Sequence, residues 1–139
     1  MAAERINPDV LYNPTPFGFS HAARQGAGDV IHIAGQVAWN KNLQVVGADV
    51  AAQARQALAN IKSILAEVGA GPADILRLRT YVVNHDPTKL QPVLAEITAF
   101  YDGATPAPNT FIGVQALALP DFLIEIEATA MAPRPSVRA

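Results

Sequence analysis

From Val50 onward the apolar residues Ala54, Ala57, Leu58, Ile61, Ile64, Leu65 and Val68 fall three or four apart or side by side, which is one face of a helix. Asp49 precedes them with a carboxylate able to accept from the free N–H groups of a first turn, and Gly69, Gly71 and Pro72 end the run. A second stripe of this kind is Leu90, Val93, Leu94, Ile97 and Tyr101, opened by Asp86-Pro87 and closed by Gly103. Elsewhere the pattern changes to alternation or short β-branched runs. It predicts strands over residues 17–24, 30–37, 75–83, 109–117 and 122–131, with a short return strand at 44–46 after the turn Trp39-Asn40-Lys41-Asn42. The predicted order is β-β-β-α-β-α-β-β. It describes an α+β fold with a mixed sheet and both helices on one face. Residues 1–16, rich in Asn and Pro, read as an extended arm on a single domain spanning 1–139. Nothing within the chain covers the second face of the sheet, and partner subunits are the expected cover.

Alternation sorts the side chains of the last strand into two sets. Ile124, Ile126, Ala128 and Ala130 suit packing under helices, whereas Glu125 and Glu127 share the other face with Leu123, Thr129 and Met131. The two carboxylates are roughly 7 Å apart along the strand. One reading is an acid, base or water-positioning group in a cleft; the competing one is a structural pair with basic residues on a neighbouring strand. Arg77, Arg79 and Tyr81 share a face of residues 75–83 and are the available partners. Gly35-Gln36 interrupts a good strand and predicts a bulge or a close approach of backbone or ligand. His32 lies within a strand and reads as structural. Ser20 and His21, being adjacent, point to opposite faces and form no Ser–His pair.

Composition narrows the chemistry. The chain has 139 residues, 50% of them hydrophobic and only 16% charged, so it is not a disordered polypeptide. A net charge of −2 provides no basic field, which argues against a nucleic-acid partner. With no cysteine there are no disulfides, thiolate metal sites or cysteine nucleophile, and the 3 histidines have no metal-ligand spacing. No phosphate-binding glycine motif occurs. No metal and no cofactor is therefore expected. The long uncharged run 103–120 is broken by Pro106, Pro108 and Pro120, and the first residues have no apolar leader core, so a soluble, cytoplasmic chain without a membrane partner is expected. A mean hydropathy of +0.18 with so few charges points to a face hidden in an oligomer.

Several stretches, in order, resemble one family. Asn7-Pro8, Gly18-Phe19-Ser20-His21-Ala22 and Ile33-Ala34-Gly35-Gln36-Val37 resemble the N-terminal pattern of the Rid family, also called YjgF and, in older usage, endoribonuclease L-PSP. The run from Ala51 to Ile61 resembles its first helix, and residues 106–130, with Ile124-Glu125-Ile126-Glu127-Ala128, its C-terminal signature. The resemblance implies a chorismate-mutase-like subunit, a homotrimer built around a central barrel, and a small-molecule cleft at each subunit interface. It also implies cofactor-free hydrolysis of enamines and imines. On this basis Glu125 is the catalytic, water-positioning carboxylate, and Phe19, Gly35, Asn109, Thr110 and Phe111 are substrate-binding. Asn109 stands where the family's carboxylate-binding arginine falls, Phe19 at its pocket tyrosine, Phe111 at its cysteine and Leu94 at its pocket asparagine. Asparagine supplies no charge for a carboxylate, so the fold carries over more firmly than the activity. The sequence thus suggests a hydrolase of an imine, enamine or related carbonyl compound. The alternative is a non-catalytic trimer that binds a metabolite or partner as a regulator or chaperone. A ribonuclease ranks last, lacking a basic field and a histidine pair.

Overall fold

The computed structural model describes residues 3–135. Six strands and two α-helices follow the order β1 (Glu4–Ile6), β2 (Ala22–Arg24), β3 (Asp29–Gln36), α1 (Val50–Glu67), β4 (Ile75–Val83), α2 (Pro87–Tyr101), β5 (Asn109–Val114) and β6 (Ile124–Ala132). This is the expected α+β order, reached with a different set of early strands. The segment 17–24 is extended only at Ala22–Arg24, because a 3-10 turn over Thr15–Phe17 is followed by Gly18 at φ +79°, a left-handed position that glycine adopts without strain. The return strand at 44–46 is a single bridge between Trp39 and Val45. The third early strand is instead Glu4–Ile6, inside the predicted arm, antiparallel to β2. β5 stops at Val114 rather than residue 117.

The main sheet has the order β3-β6-β4-β5, with β4 and β5 parallel and the other pairs antiparallel. Both helices cover one face. Asp49 caps α1 by accepting the Ala52 N–H at 2.8 Å, and Asp86 caps α2 by accepting from Thr88 N at 2.8 Å. Ala54, Ala57, Leu58, Ile61 and Leu65 of α1 and Val93 and Ile97 of α2 are buried against Leu78, Val82, Ile124, Ile126, Ala128 and Ala130. Each large aliphatic side chain in this layer contributes about 1.5–3 kcal/mol of burial. The opposite face of the sheet carries Glu125, Glu127, Arg79 and Tyr81, all partly exposed. The alternation in β6 therefore divides the strand as its sequence predicts as far as Ala130, while Met131, read with the glutamates, is buried against Gly26 and Gly28.

The arm is tied down by polar contacts. Arg5 donates to the carbonyls of Thr105 (3.1 Å), Ala73 (3.2 Å) and Ile75. Asn7 Nδ2 donates to Ser20 Oγ at 3.1 Å, and Asn7 Oδ1 accepts the His21 N–H at 2.8 Å. Among the described residues no helix is long and apolar enough to cross a membrane.

Candidate functional site

Phe19, Leu94, Asn109 and Phe111 come from three separated stretches and meet in one groove. Tyr12, Phe17 and Leu90 complete its lining, and its volume is about 420 Å³. That is within the range of small-molecule sites, roughly 300–1,000 Å³. The local folding explains the assembly. Asn13 Oδ1 accepts both the Thr15 N–H (3.1 Å) and its hydroxyl (2.8 Å), starting the 3-10 turn. Gly18 then reverses the chain between Phe17 and Phe19. Tyr12 packs edge-on against His21 at 4.7 Å and Phe19 at 6.4 Å, while His21 Nε2 lies 2.8 Å from the Tyr12 carbonyl. His21 is thus engaged with the arm, and Ser20 with Asn7, so no Ser–His pair forms.

Asn109 and Phe111 sit on the edge strand β5, opposite Leu78 and Thr80 in parallel register. Leu78 and Thr80 are fully buried beneath the helices, so Asn109 and Phe111 face the helix side. The Thr80 hydroxyl donates to Asn109 Oδ1 at 3.1 Å. The ring of His85 packs edge-on against Phe111 at 4.9 Å, and its Nδ1 is buried without a hydrogen-bond partner among the described residues. Thr110 pairs with Arg79 in register and faces the other side of the sheet.

Glu125 is on that other side. Tyr81 is its neighbour across β4, and Gly35 its neighbour in β3. The register of β3 against β6 shifts between Ile33 and Gln36, the bulge that Gly35-Gln36 predicts. A Cβ at residue 35 would lie 2.6 Å from Glu125 Cδ and 2.7 Å from its Oε2, so glycine leaves the room this carboxylate occupies. Glu127 takes the structural role: Tyr81 donates to its Oε1 at 2.6 Å, and Arg79 Nη1 lies 3.6 Å from the same oxygen. The bond to Glu127 raises the Tyr81 pKa above the ordinary phenol value. Arg77, Arg79, Glu127 and Thr129 line a shallow crevice of about 130 Å³ on this face. Neither arginine lines the groove.

The six predicted site residues therefore divide. Phe19, Asn109 and Phe111 line the groove on the helix side, whereas Gly35, Glu125 and Thr110 belong to the open face. One chain does not bring the two groups together. Tyr12, Phe17 and Leu90 carry no sequence signal of a site. Tyr12 and Phe17 sit in or beside an aperiodic arm, and Leu90 reads as an ordinary position of a helical stripe.

Comparison with known proteins agrees with this architecture. The family model described as endoribonuclease L-PSP matches residues 13–132. A RutC family protein of Pyrococcus horikoshii is 36% identical over 121 residues, 84% of this chain and 90% of that protein. The 2-iminobutanoate/2-iminopropanoate deaminase of Escherichia coli K12 is 37% identical over 108 residues, 75% of this chain and 80% of the enzyme. Among solved structures, YyfB of Yersinia pestis, a Rid-family protein of unknown function, superposes with a TM-score of 0.91 at 60% identity, covering 94% of this chain and 99% of its own. The YjgF gene product of E. coli gives a TM-score of 0.67 at 36% identity, covering 77% and 84%. The chain belongs to the Rid family.

Proposed function

We infer that this protein is a cytoplasmic homotrimer in which the groove of one copy is completed by Glu125 and Gly35 of the next. The composite site hydrolyses an imine, enamine or related carbonyl compound without a cofactor. One observation carries the reading: Glu125 and the groove lie on opposite faces of the same sheet, so a site containing both needs a second chain. The uncovered sheet face and the low charge of the chain support the same assembly. In the reaction a water oxygen bonds to the C=N carbon. Glu125 accepts one proton of that water and passes it to the nitrogen as the C=N π bond opens, giving a carbinolamine. The carbinolamine hydroxyl then loses its proton through Glu125 to the nitrogen, its oxygen forms C=O as the C–N bond breaks, and a carbonyl compound and ammonia or an amine leave. Glu125 acts here as a general base and then as a general acid.

Asn109 favours a second reading, in which the trimer binds its ligand without turning it over. Light scattering and subunit complementation separate the possibilities. Light scattering should give about three times the chain mass. Glu125→Gln and Phe111→Trp should each abolish hydrolysis of imines generated in situ. Refolding the two variants together at equal concentration should restore about one quarter of wild-type activity, because each composite interface needs one intact half from each chain. A monomer at micromolar concentration would refute the assembly. A trimer without turnover of any imine would leave the binding reading. Turnover of small 2-imino acids should be weak, since their carboxylate has no cation in the groove.

A further inference from the structure

The groove's polar equipment is sparse and oriented. None of its seven lining residues is charged, and five are phenylalanine or leucine side chains, besides Tyr12 and Asn109. Asn109 is positioned from behind. Thr80 is 0% exposed, and a hydroxyl that deep must be satisfied. It donates to Asn109 Oδ1 at 3.1 Å, which commits the amide oxygen to the protein. The amide nitrogen has no partner among the described residues and remains available to the groove. The groove therefore offers an N–H donor in an apolar setting, with no counter-charge for an anion.

We propose that the groove selects an uncharged ligand with an apolar, ring-sized body and a carbonyl or imine acceptor, received by Asn109 Nδ2, and that Thr80 is the positioning residue that aims this amide. The proposal deepens the reading of the composite site, on which it rests for the site's role. The chemistry gives the direction of selectivity. A neutral acceptor exchanges a hydrogen bond to water for one to Asn109, and its ring buries apolar area against Phe19 and Phe111. A carboxylate of the same shape loses its hydration and gains no cation.

The test uses fluorine NMR titration with three probes of similar shape: 4-fluorobenzamide, 4-fluorobenzoate and fluorobenzene. Wild-type protein should bind the benzamide at least about tenfold more tightly than the benzoate. Asn109→Leu should reduce benzamide affinity to that of fluorobenzene. Thr80→Val, which removes the hydroxyl and keeps the branched shape, should weaken benzamide binding several-fold and leave fluorobenzene unchanged; Thr80→Ser should restore the preference. Unchanged fluorobenzene binding also shows that the variants fold. Benzoate binding as tightly as benzamide, an unchanged preference in Asn109→Leu, or no binding of any probe would overturn the proposal. Every residue on which these probes are expected to act, Thr80 included, comes from one chain, so the titrations can be read in a monomer as well as in a trimer. A monomer that still prefers the benzamide sinks the composite hydrolase and upholds the ligand class. A complementing, active trimer that prefers the benzoate does the reverse.

Discussion

Replacing Arg5 with alanine removes the donor of three backbone hydrogen bonds and releases the arm from two separate parts of the chain. The guanidinium reaches the carbonyls of Ala73 and Ile75, just before and at the start of β4, and Thr105, just after α2. Hydrogen bonds to a charged donor are worth about 1.5–3 kcal/mol when fully buried. Arg5 is only half-buried, and water can replace part of what is lost. Discounting each bond to about 1 kcal/mol gives a loss of roughly 3 kcal/mol. For a chain of this length that lowers the melting temperature by about 8–12 °C. Thermal unfolding at fixed chain concentration is the assay, because assembly would make the midpoint concentration-dependent. Arg5→Lys should recover less than half of the loss, since an ammonium lacks the planar fork that spans both segments. The same release should loosen Tyr12 and weaken 4-fluorobenzamide binding. A shift in melting temperature below about 2 °C for Arg5→Ala would refute the view that Arg5 secures the arm.

Gly35→Ala should leave the melting temperature nearly unchanged, because the group it meets is the movable end of Glu125; displacing that carboxylate by about an ångström should lower imine hydrolysis roughly a hundredfold. Asn109→Arg supplies the cation the groove lacks and should raise 4-fluorobenzoate affinity about tenfold to a hundredfold, measured by the same titration. Burial pushes Tyr101 up to about 12 from an ordinary 10.0, so the folded chain keeps a proton that the unfolded chain loses. Its contribution to stability is complete below about pH 10 and falls as pH rises toward 12, and Tyr101→Phe should flatten that decline in urea unfolding midpoints taken at about pH 8 and pH 11.

The elements legible in the sequence are those whose burial is periodic. α1 begins after Asp49, as its cap predicts, and β6 buries Ile124, Ile126, Ala128 and Ala130 as its alternation predicts. The bulge at Gly35 is legible too, because a glycine inside a β-branched run has no side chain to pack and marks a break in the ladder. The first sixteen residues are not. Glu4–Ile6 is too short to show a period, and it is held by Arg5 and by pairing with β2, contacts that join residues far apart in sequence. The strand predicted over 17–24 is longer than the one that forms, for a related reason. Thr15–Phe17 turns because Asn13 and Gly18 act on the backbone, and neither leaves a mark in hydrophobic spacing. For the candidate site, the family resemblance picks out Phe19, Leu94, Asn109 and Phe111, which meet in the groove. What spacing does not reveal is that Glu125 lies on the other face, since this follows from which strands are neighbours.

That division bears on how a family of one fold can change ligands. The buried layer between the helices and the sheet is built from α1, α2, β4 and β6. The groove takes its lining from the arm, one side of α2 and the edge strand β5, and Asn109 there is only partly buried. Exchanging a cation for an amide at position 109 disturbs none of the core aliphatics, so the fold places little constraint on it. Thr80 is different, because it is itself fully buried between β5 and β6 in the sheet. Its hydroxyl has a reason to be there only if a partner such as Asn109 accepts it; an apolar residue would otherwise fill the space at lower cost. The pairing of Thr80 with Asn109 thus links a core position to a groove-lining one, and the two are expected to change together when the groove changes. Glu125 and Gly35 belong to the opposite face and are free of that coupling. The lining of the groove can therefore change on one face while Glu125 and Gly35 on the other stay as they are.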